Sequence, residues 1–314
     1  MSKGIICLGE ALIDFIPLDD ENIKFQKSPG GAPANVAVGA ARLGANSTFL
    51  GKVGEDVLGR FLKKTLTDYG VNTEAMYMTK DTRTGVVFVT LDEHGERSFD
   101  FYIDPSADRY LEESEVKADL LTSHNLLHFG SISMIDEPAK SATTTAVREA
   151  RENGLIVSYD PNLRLGLWKS ADEAKETILS MLAEADVVKI SEEELEFLTG
   201  ETDIEEGVKL LSSYEIPLLY VTMGAEGSHV YNQEGHTFVP AMKVDAVDTT
   251  GAGDAFVSGI LYQLSERAKP VDQLTIQELE EITRFASVSG ALAASTKGAM
   301  TALPTKTEVE DYLK

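Results

Sequence analysis

The segment Asp248-Thr-Thr-Gly-Ala-Gly-Asp-Ala-Phe256 places a carboxylate among small residues at the head of an apolar run. Val257, Ile260, Leu261 and Leu264 follow at helical spacing, which predicts a helix that starts at Gly251 to Gly253, packs one face into a core and holds Asp254 in its first turn. The first amides of a helix lack internal partners and carry partial positive charge, and small side chains let a ligand reach them. A phosphate suits those N–H groups. A carboxylate beside them would repel a resting phosphate, so Asp254 is better explained as a base acting on an incoming hydroxyl, and the pair implies phosphoryl transfer. The plainer alternative is a glycine-rich helix cap with a dipole-favoured Asp.

Other polar residues fall where they can serve such a reaction. Gly30-Gly-Ala-Pro-Ala-Asn35 leads into the small-residue helix Val36 to Leu43, ended by Gly44. Paired glycines permit close approach of a ligand, and Asn35 can both donate to and accept from a polyol; tight packing of a small-residue helix on a sheet is the structural alternative. Asp14, flanked by apolar residues in Ala11-Leu-Ile-Asp-Phe-Ile16, faces either solvent or a polar ligand such as a sugar hydroxyl. Gly4-Ile-Ile-Cys-Leu8 reads as a first buried strand, and Gly9-Glu10 ends it.

From Ser123 onward strand and helix alternate: Leu126 to Phe129, a helix near 137–152, Leu155 to Tyr159, a helix near 171–184, Val187 to Ile190, and Leu218 to Val221. That order predicts a parallel sheet covered on both faces, with ligands beyond the carboxyl ends of its strands. Asp160, Asn162 and Arg164 follow one strand, Lys189 lies at the end of the next, and Thr222, Gly224 and Gly227 follow the third. Arg164 and Lys189 are cations that can neutralise phosphate oxygens. Glu192-Glu-Glu194 opens a helix, where the dipole favours carboxylates, and one of them could orient hydrated magnesium. Thr84 to Leu91 and Arg97 to Ile103 flank Asp92-Glu-His-Gly-Glu96, which predicts a hairpin; with the strands near 12–26 it forms either a small β lid over the site or a solvated sheet edge.

The 314 residues and 43% hydrophobic content suffice for a large α/β domain, and a net charge of −24 argues against general electrostatic binding to nucleic acid or anionic membrane. A single cysteine, Cys7 in an apolar run, excludes an internal disulfide and fits a reducing compartment. No signal-peptide pattern or membrane-length apolar run is present, which predicts a cytoplasmic protein. His124 and His128 bracket a strand rather than lying on one helix face, so no histidine metal spacing emerges.

Gly30 to Asn35 with Leu43-Gly44, paired with Asp248 to Asp254, resembles the two signatures of the PfkB (ribokinase-like) carbohydrate kinase family, and the resemblance runs the whole chain. It implies a three-layer α/β/α fold with a mainly parallel central sheet and a small β lid, one domain over 1–314 with lid segments about 12–26 and 84–103, and ATP-dependent phosphorylation of a sugar hydroxyl. By that resemblance Asp254 is the base, Gly251, Ala252 and Gly253 hold the transferring phosphoryl group, and Arg164 assists; Asp14, Gly30, Gly31, Asn35 and Phe101 hold the sugar. Lys189, Glu194, Thr222, Gly224, Gly227 and Ser289 fall at the ATP site. Ser191-Glu-Glu-Glu194 stands at the NxxE position with Ser for Asn, which assigns magnesium to Glu194 through water. A monovalent cation, potassium, matches Asp248, Thr250, Ala293, Thr296 and Gly298, with Ala302 where some members supply a hydroxyl.

Arg97 to Asp108 and Asp160-Pro-Asn-Leu-Arg164 resemble bacterial and plant fructokinases, which implies fructose phosphorylated at its 6-hydroxyl. Similar segments occur in 2-keto-3-deoxygluconate kinases and aminoimidazole riboside kinases, and a nucleoside kinase differs only beneath the lid. A sugar-sensing regulator without the chemistry is the non-enzymatic alternative, against which the intact Gly251 to Asp254 segment speaks. An exposed lid sheet is suited to a homodimer.

Overall fold

The computed structural model describes residues 4–91, 97–267 and 269–314. Its strands are β1 (Gly4–Leu8), β2 (Leu12–Pro17), β3 (Phe25–Gly30), β4 (Ser47–Gly54), β5 (Met76–Thr79), β6 (Val86–Leu91) and β7 (Arg97–Phe101). They continue with β8 (His124–Phe129), β9 (Ile156–Tyr159), β10 (Val187–Ser191), β11 (Leu218–Thr222), β12 (Gly227–Asn232) and β13 (Gly235–Pro240).

Every residue of β1 is buried, and successive side chains point to opposite faces, so the strand can be apolar throughout only if both faces are covered. They are. Ile5 and Cys7 join one core layer with the helices Ala32–Arg42, Ala252–Ser265 and Ile276–Ala294; Ile6 and Leu8 join the other with Ala139–Glu152 and Ala171–Leu182. The result is three layers, helix on sheet on helix.

Among the described residues the large sheet has nine strands in the order β13-β12-β11-β10-β9-β8-β1-β4-β5. Neighbours from β11 through β5 are parallel, while β12 and β13 add an antiparallel hairpin that the strand and helix alternation did not announce. A separate sheet of four strands runs β3-β2-β6-β7, with β2 parallel to β6 and antiparallel to β3. β6 and β7 pair antiparallel from Val87 with Phe101 to Leu91 with Arg97. The expected turn Asp92 to Glu96 lies outside the described residues.

Two boundaries differ from expectation. Gly30 ends strand β3, and the helix after it starts at Ala32 instead of Val36. Pro33 sits in its first turn, where a missing N–H leaves no bond unmade, so the proline starts the helix rather than delaying it. No helix among the described residues is long and apolar enough to cross a membrane.

Candidate active site

Asp254 lies in the first turn of the helix Ala252–Ser265 and is 9% exposed. That helix is buried almost all round, not on one face alone, because it runs between two others. Glycines set the approach. A Cβ on Gly39 would lie 2.4 Å from Ser258 Oγ, and one on Gly259 would lie 2.8 Å from Ala286 Cα. Backbones this close let Asn35 Nδ2 donate to Asp254 Oδ2 at 2.7 Å. Asn35 is 5% exposed, and its Oδ1 has no hydrogen-bond partner among the described residues. A buried acceptor in that state has room for a donor from a ligand or an ordered water.

The loop before the helix is a tight turn: Ala252 N–H donates to Thr249 O at 3.2 Å, and Gly251 has φ 79° and ψ −1°. This is the type II pattern, whose third position requires positive φ and so glycine. The turn engages the Ala252 amide, and Ala252 does not border the cavity, in contrast to its grouping with Gly251 and Gly253 from sequence. Gly251 and Gly253 do border it, and no acceptor among the described residues takes either of their N–H groups. Two of the three amides expected to bind an anion, those of Gly251 and Gly253, are thus without an acceptor among the described residues.

The cavity itself measures about 460 Å³. Asp14, Asn35, Gly31, Phe101, Arg164, Lys189 and Asp254 all line it, so both glycine-rich segments, the small sheet and the ends of the large sheet meet there. Gly30 does not line it but supports it, since a Cβ at Gly30 would lie 2.2 Å from Asp14 Oδ2.

Cations stand on one side. Lys189 Nζ is 3.3 Å from Asp160 Oδ2 across neighbouring strand ends, and a Cβ on Gly253 would meet that ammonium at 3.7 Å. Burial opposes the Lys189 charge, but Asp160, Glu194 and Asp254 outweigh it and the ammonium is held above its ordinary value. Asp160 Oδ1 accepts from Asn162 N–H, and the positive φ of Asn162, 46°, turns the chain so that Arg164 faces the cavity.

Acids stand on the other. Burial raises Asp254 to about 6; Asn35 pulls it down, Asp160 pushes it up, and Lys189 and Arg164 lower it. Asp14 also rises to about 6 through burial, with Arg164 opposing and Asp254 adding to the rise. Both carboxyls thus titrate closer to neutrality than free Asp.

Glu194 caps the helix Glu192–Thr199: its Oε2 accepts from Ser191 N–H at 2.8 Å and its Oε1 from Leu163 N–H at 2.8 Å. It therefore ties the Arg164 loop to β10, and burial holds its carboxyl above the ordinary value against the pull of Lys189. Asp248, 3% exposed, accepts from Thr250 N–H and Gly298 N–H, both at 3.0 Å, and Thr296 N–H donates to Ala293 O at 3.1 Å. Of the five residues expected around a monovalent cation, Asp248 joins the loops that carry Thr250 and Gly298, Ala293 lies in the last turn of the helix Ile276–Ala294, and Thr296 follows that helix.

The remaining residues expected at a nucleotide site do not line the cavity. Thr222 Oγ1 reaches Ile190 O at 3.4 Å, Gly224 has φ 50° in the turn between β11 and β12, and Gly227 opens β12. Space beside Gly224 is open, with no atom within 4 Å of a Cβ built there. Ser289 is a correction: it is fully buried inside the helix Ile276–Ala294 with its Oγ unpartnered, so no ligand reaches that hydroxyl. The resemblance placed Ser289 at the ATP site, but its small neighbours let helices close over it.

Sequence reasoning did not single out Glu10, Phe99 and Thr249 as cavity residues. For Glu10 the available signal was its place just beyond the carboxyl end of a parallel strand.

The chain matches the pfkB family carbohydrate kinase profile over residues 2–306. It is 50% identical over 320 residues to probable fructokinase-6, chloroplastic, of Arabidopsis thaliana, covering 99% of this chain and 83% of that protein. A double-mutant fructokinase of Vibrio cholerae O395, solved with fructose, ADP and a potassium ion, superposes with a TM-score of 0.91 at 42% identity, covering 100% of this chain and 99% of that one. Fructokinase of Xylella fastidiosa with bound ATP gives 0.94 at 36% identity, covering 100% and 98%. The chain therefore belongs to the pfkB family of carbohydrate kinases.

Proposed function

We propose that this protein is an ATP-dependent fructokinase that moves the γ-phosphoryl group of ATP to the 6-hydroxyl of D-fructose. The observation that carries the reading is the Asp254 carboxylate, held by Asn35 beside the unpartnered amides of Gly251 and Gly253 in one cavity. Fructokinase relatives over nearly the whole chain support fructose as the acceptor.

In this reading Asp254 takes the hydroxyl proton while the Gly251 and Gly253 N–H groups, at the positive end of a long buried helix, hold the phosphoryl group in transit. Asp14 and Asn35 orient the sugar, and the free Asn35 Oδ1 accepts from one of its hydroxyls. Phe101 and Phe99 bring the small sheet over the cavity as a lid that excludes water. Arg164 and Lys189 offset charge on the phosphate oxygens. The turn at Gly224, with open space beside it, is suited to the nucleotide base together with Thr222 and Gly227.

The donor set also fits metal ions. Glu194, beside Asp160 and Lys189, is placed to hold magnesium through water, and magnesium bound there would neutralise phosphate charge. Asp248, with Thr250, Ala293, Thr296 and Gly298, supplies one carboxylate and main-chain carbonyls, the hard oxygen ligands potassium takes. Exposed Tyr102, just after edge strand β7, suits a homodimer through the small sheet. One buried free thiol, Cys7, supports a reducing compartment such as the cytoplasm.

The test is ADP release with ATP and magnesium across fructose, ribose, 2-keto-3-deoxygluconate and nucleosides. Fructose is expected to give the highest kcat/KM, and Asp254→Asn to lose turnover by about 10²-fold or more while keeping ATP and sugar binding. Preference for another acceptor overturns the substrate, and near-normal turnover of the variant overturns the base.

A further inference from the structure

The sugar cavity contains a carboxyl group that this reaction does not use. Glu10, just past the end of β1, is 3% exposed and borders the cavity. Burying a carboxyl costs free energy unless hydrogen bonds meet it. Among the described residues, and apart from its own main-chain amide, the only donor that reaches it is Ala32 N–H, 3.0 Å from Oε1. A carboxyl has about four lone-pair sites, so hydrogen-bonding capacity is left over, next to a cavity that also holds the unpartnered Oδ1 of Asn35. The main chain is equally close here: a Cβ on Gly31 would lie 2.5 Å from Glu10 O.

We propose that Glu10 reads the sugar, with Oε1 pinned by Ala32 N–H and Oε2 hydrogen-bonded to a fructose hydroxyl other than the one phosphorylated. The inference rests on the fructokinase reading. Burial, helped by Asp108 and Asp254, raises the Glu10 carboxyl to about 8, so near pH 7 it holds a proton. It then donates to a hydroxyl oxygen and adds no second negative charge beside Asp254. Asp108 faces it as a buried group held by Ser106 at 2.5 Å and Arg109 at 3.5 Å, and Asp254 faces it from the helix Ala252–Ser265. Above about pH 8 the proton leaves, the donor is lost and charge accumulates, so fructose affinity falls.

The test compares Glu10→Ala and Glu10→Gln with wild type by KM for fructose, KM for ATP and kcat from about pH 6 to 9.5, with fructose binding followed by calorimetry and folding by melting temperature. Glu10→Ala is expected to raise KM for fructose about tenfold and leave KM for ATP unchanged. Glu10→Gln keeps a donor and an acceptor, and is expected to stay within about threefold of wild type while losing the alkaline fall in fructose affinity. Equal fructose KM in all three proteins, ATP and fructose KM rising together, or an alkaline fall that persists in Glu10→Gln each overturns the proposal. Should Glu10→Ala fail to fold, the pH profile of Glu10→Gln decides alone. Wild type that does not phosphorylate fructose overturns the fructokinase reading; wild type that does, with Glu10 variants indifferent, overturns only this one.

Discussion

Asn in place of Asp254 should make the ligand-free protein more stable while removing turnover. The Asp254 carboxyl rises from its ordinary 3.8 to about 6, chiefly because burial penalises its charge. At about 1.4 kcal/mol per unit, the folded protein is less stable by about 3 kcal/mol once the group ionises. The sign follows from proton counts: between pH 3.8 and about 6 the folded state binds more protons than the unfolded chain, so stability falls as pH rises through that window. Asparagine keeps the volume, and its carbonyl oxygen still accepts from Asn35 Nδ2. The gain is therefore absent near pH 4, complete by about pH 7, and amounts to about 5 °C in melting temperature for a chain of this size. Scanning fluorimetry of both proteins at matched ionic strength, without sugar or nucleotide, measures it. A variant no more stable at pH 8, or a gap that does not close toward pH 4, would refute the claim that the site holds its base at a cost to the fold.

Wild-type kcat/KM for fructose should fall below about pH 6, about tenfold per unit for Asp254 and more steeply where Asp14 must also be ionised; a flat profile from pH 5 to 8 rules out both as the required anions. Removing the Asn35 hydrogen bond in Asn35→Ala should move that acid limb upward, because Asn35 holds Asp254 down, and should raise KM for the sugar; a limb that stays in place or moves down contradicts the pairing. Gly251→Ala forces a side chain to φ 79° and to 3.2 Å from Ala299 Cα, so kcat should drop about tenfold or more with the fold retained; unchanged kcat removes the turn from the mechanism. Exchanging potassium for tetramethylammonium should lower kcat, and equal rates in the two salts dismiss the Asp248 and Gly298 loops as a cation site.

The central helix and the carboxylate in its first turn were legible because their signal is local. Glycines, Asp254 and the apolar residues after them lie within a few turns, and the structure starts the helix at Ala252 with Gly251 as its cap. Strands β8 to β11 were legible because each is a short apolar run with a helix before the next. The hairpin of β12 and β13 was not, since His229, Tyr231, His236 and Phe238 lie on a half-exposed edge where no continuous apolar run forms. Lys189 and Asp160 each stood out as polar groups at strand ends, but their ion pair depends on β9 lying beside β10, which strand order decides and periodicity does not. Glu194 shows the reverse: its position suggested a metal held through water, but periodicity gave no sign that each of its oxygens also accepts from a main-chain amide.

What joins these pieces is steric more than electrostatic. Asn35 and Asp254 are 219 residues apart in sequence, and no charge pattern brings them together. Contacts that a single methyl group would crowd, Gly39 on Ser258, Gly259 on Ala286 and Gly251 on Ala299, fix three helices and a turn at one spacing. Only at that spacing does a buried carboxylate meet a side-chain amide on one side and free main-chain amides on the other. The electrostatics then follow: an acid taken out of water by close helix packing becomes a better base, and the cations across the cavity limit how far its proton affinity rises. Stability is lower for that arrangement, and the reactivity of the site comes from the same packing.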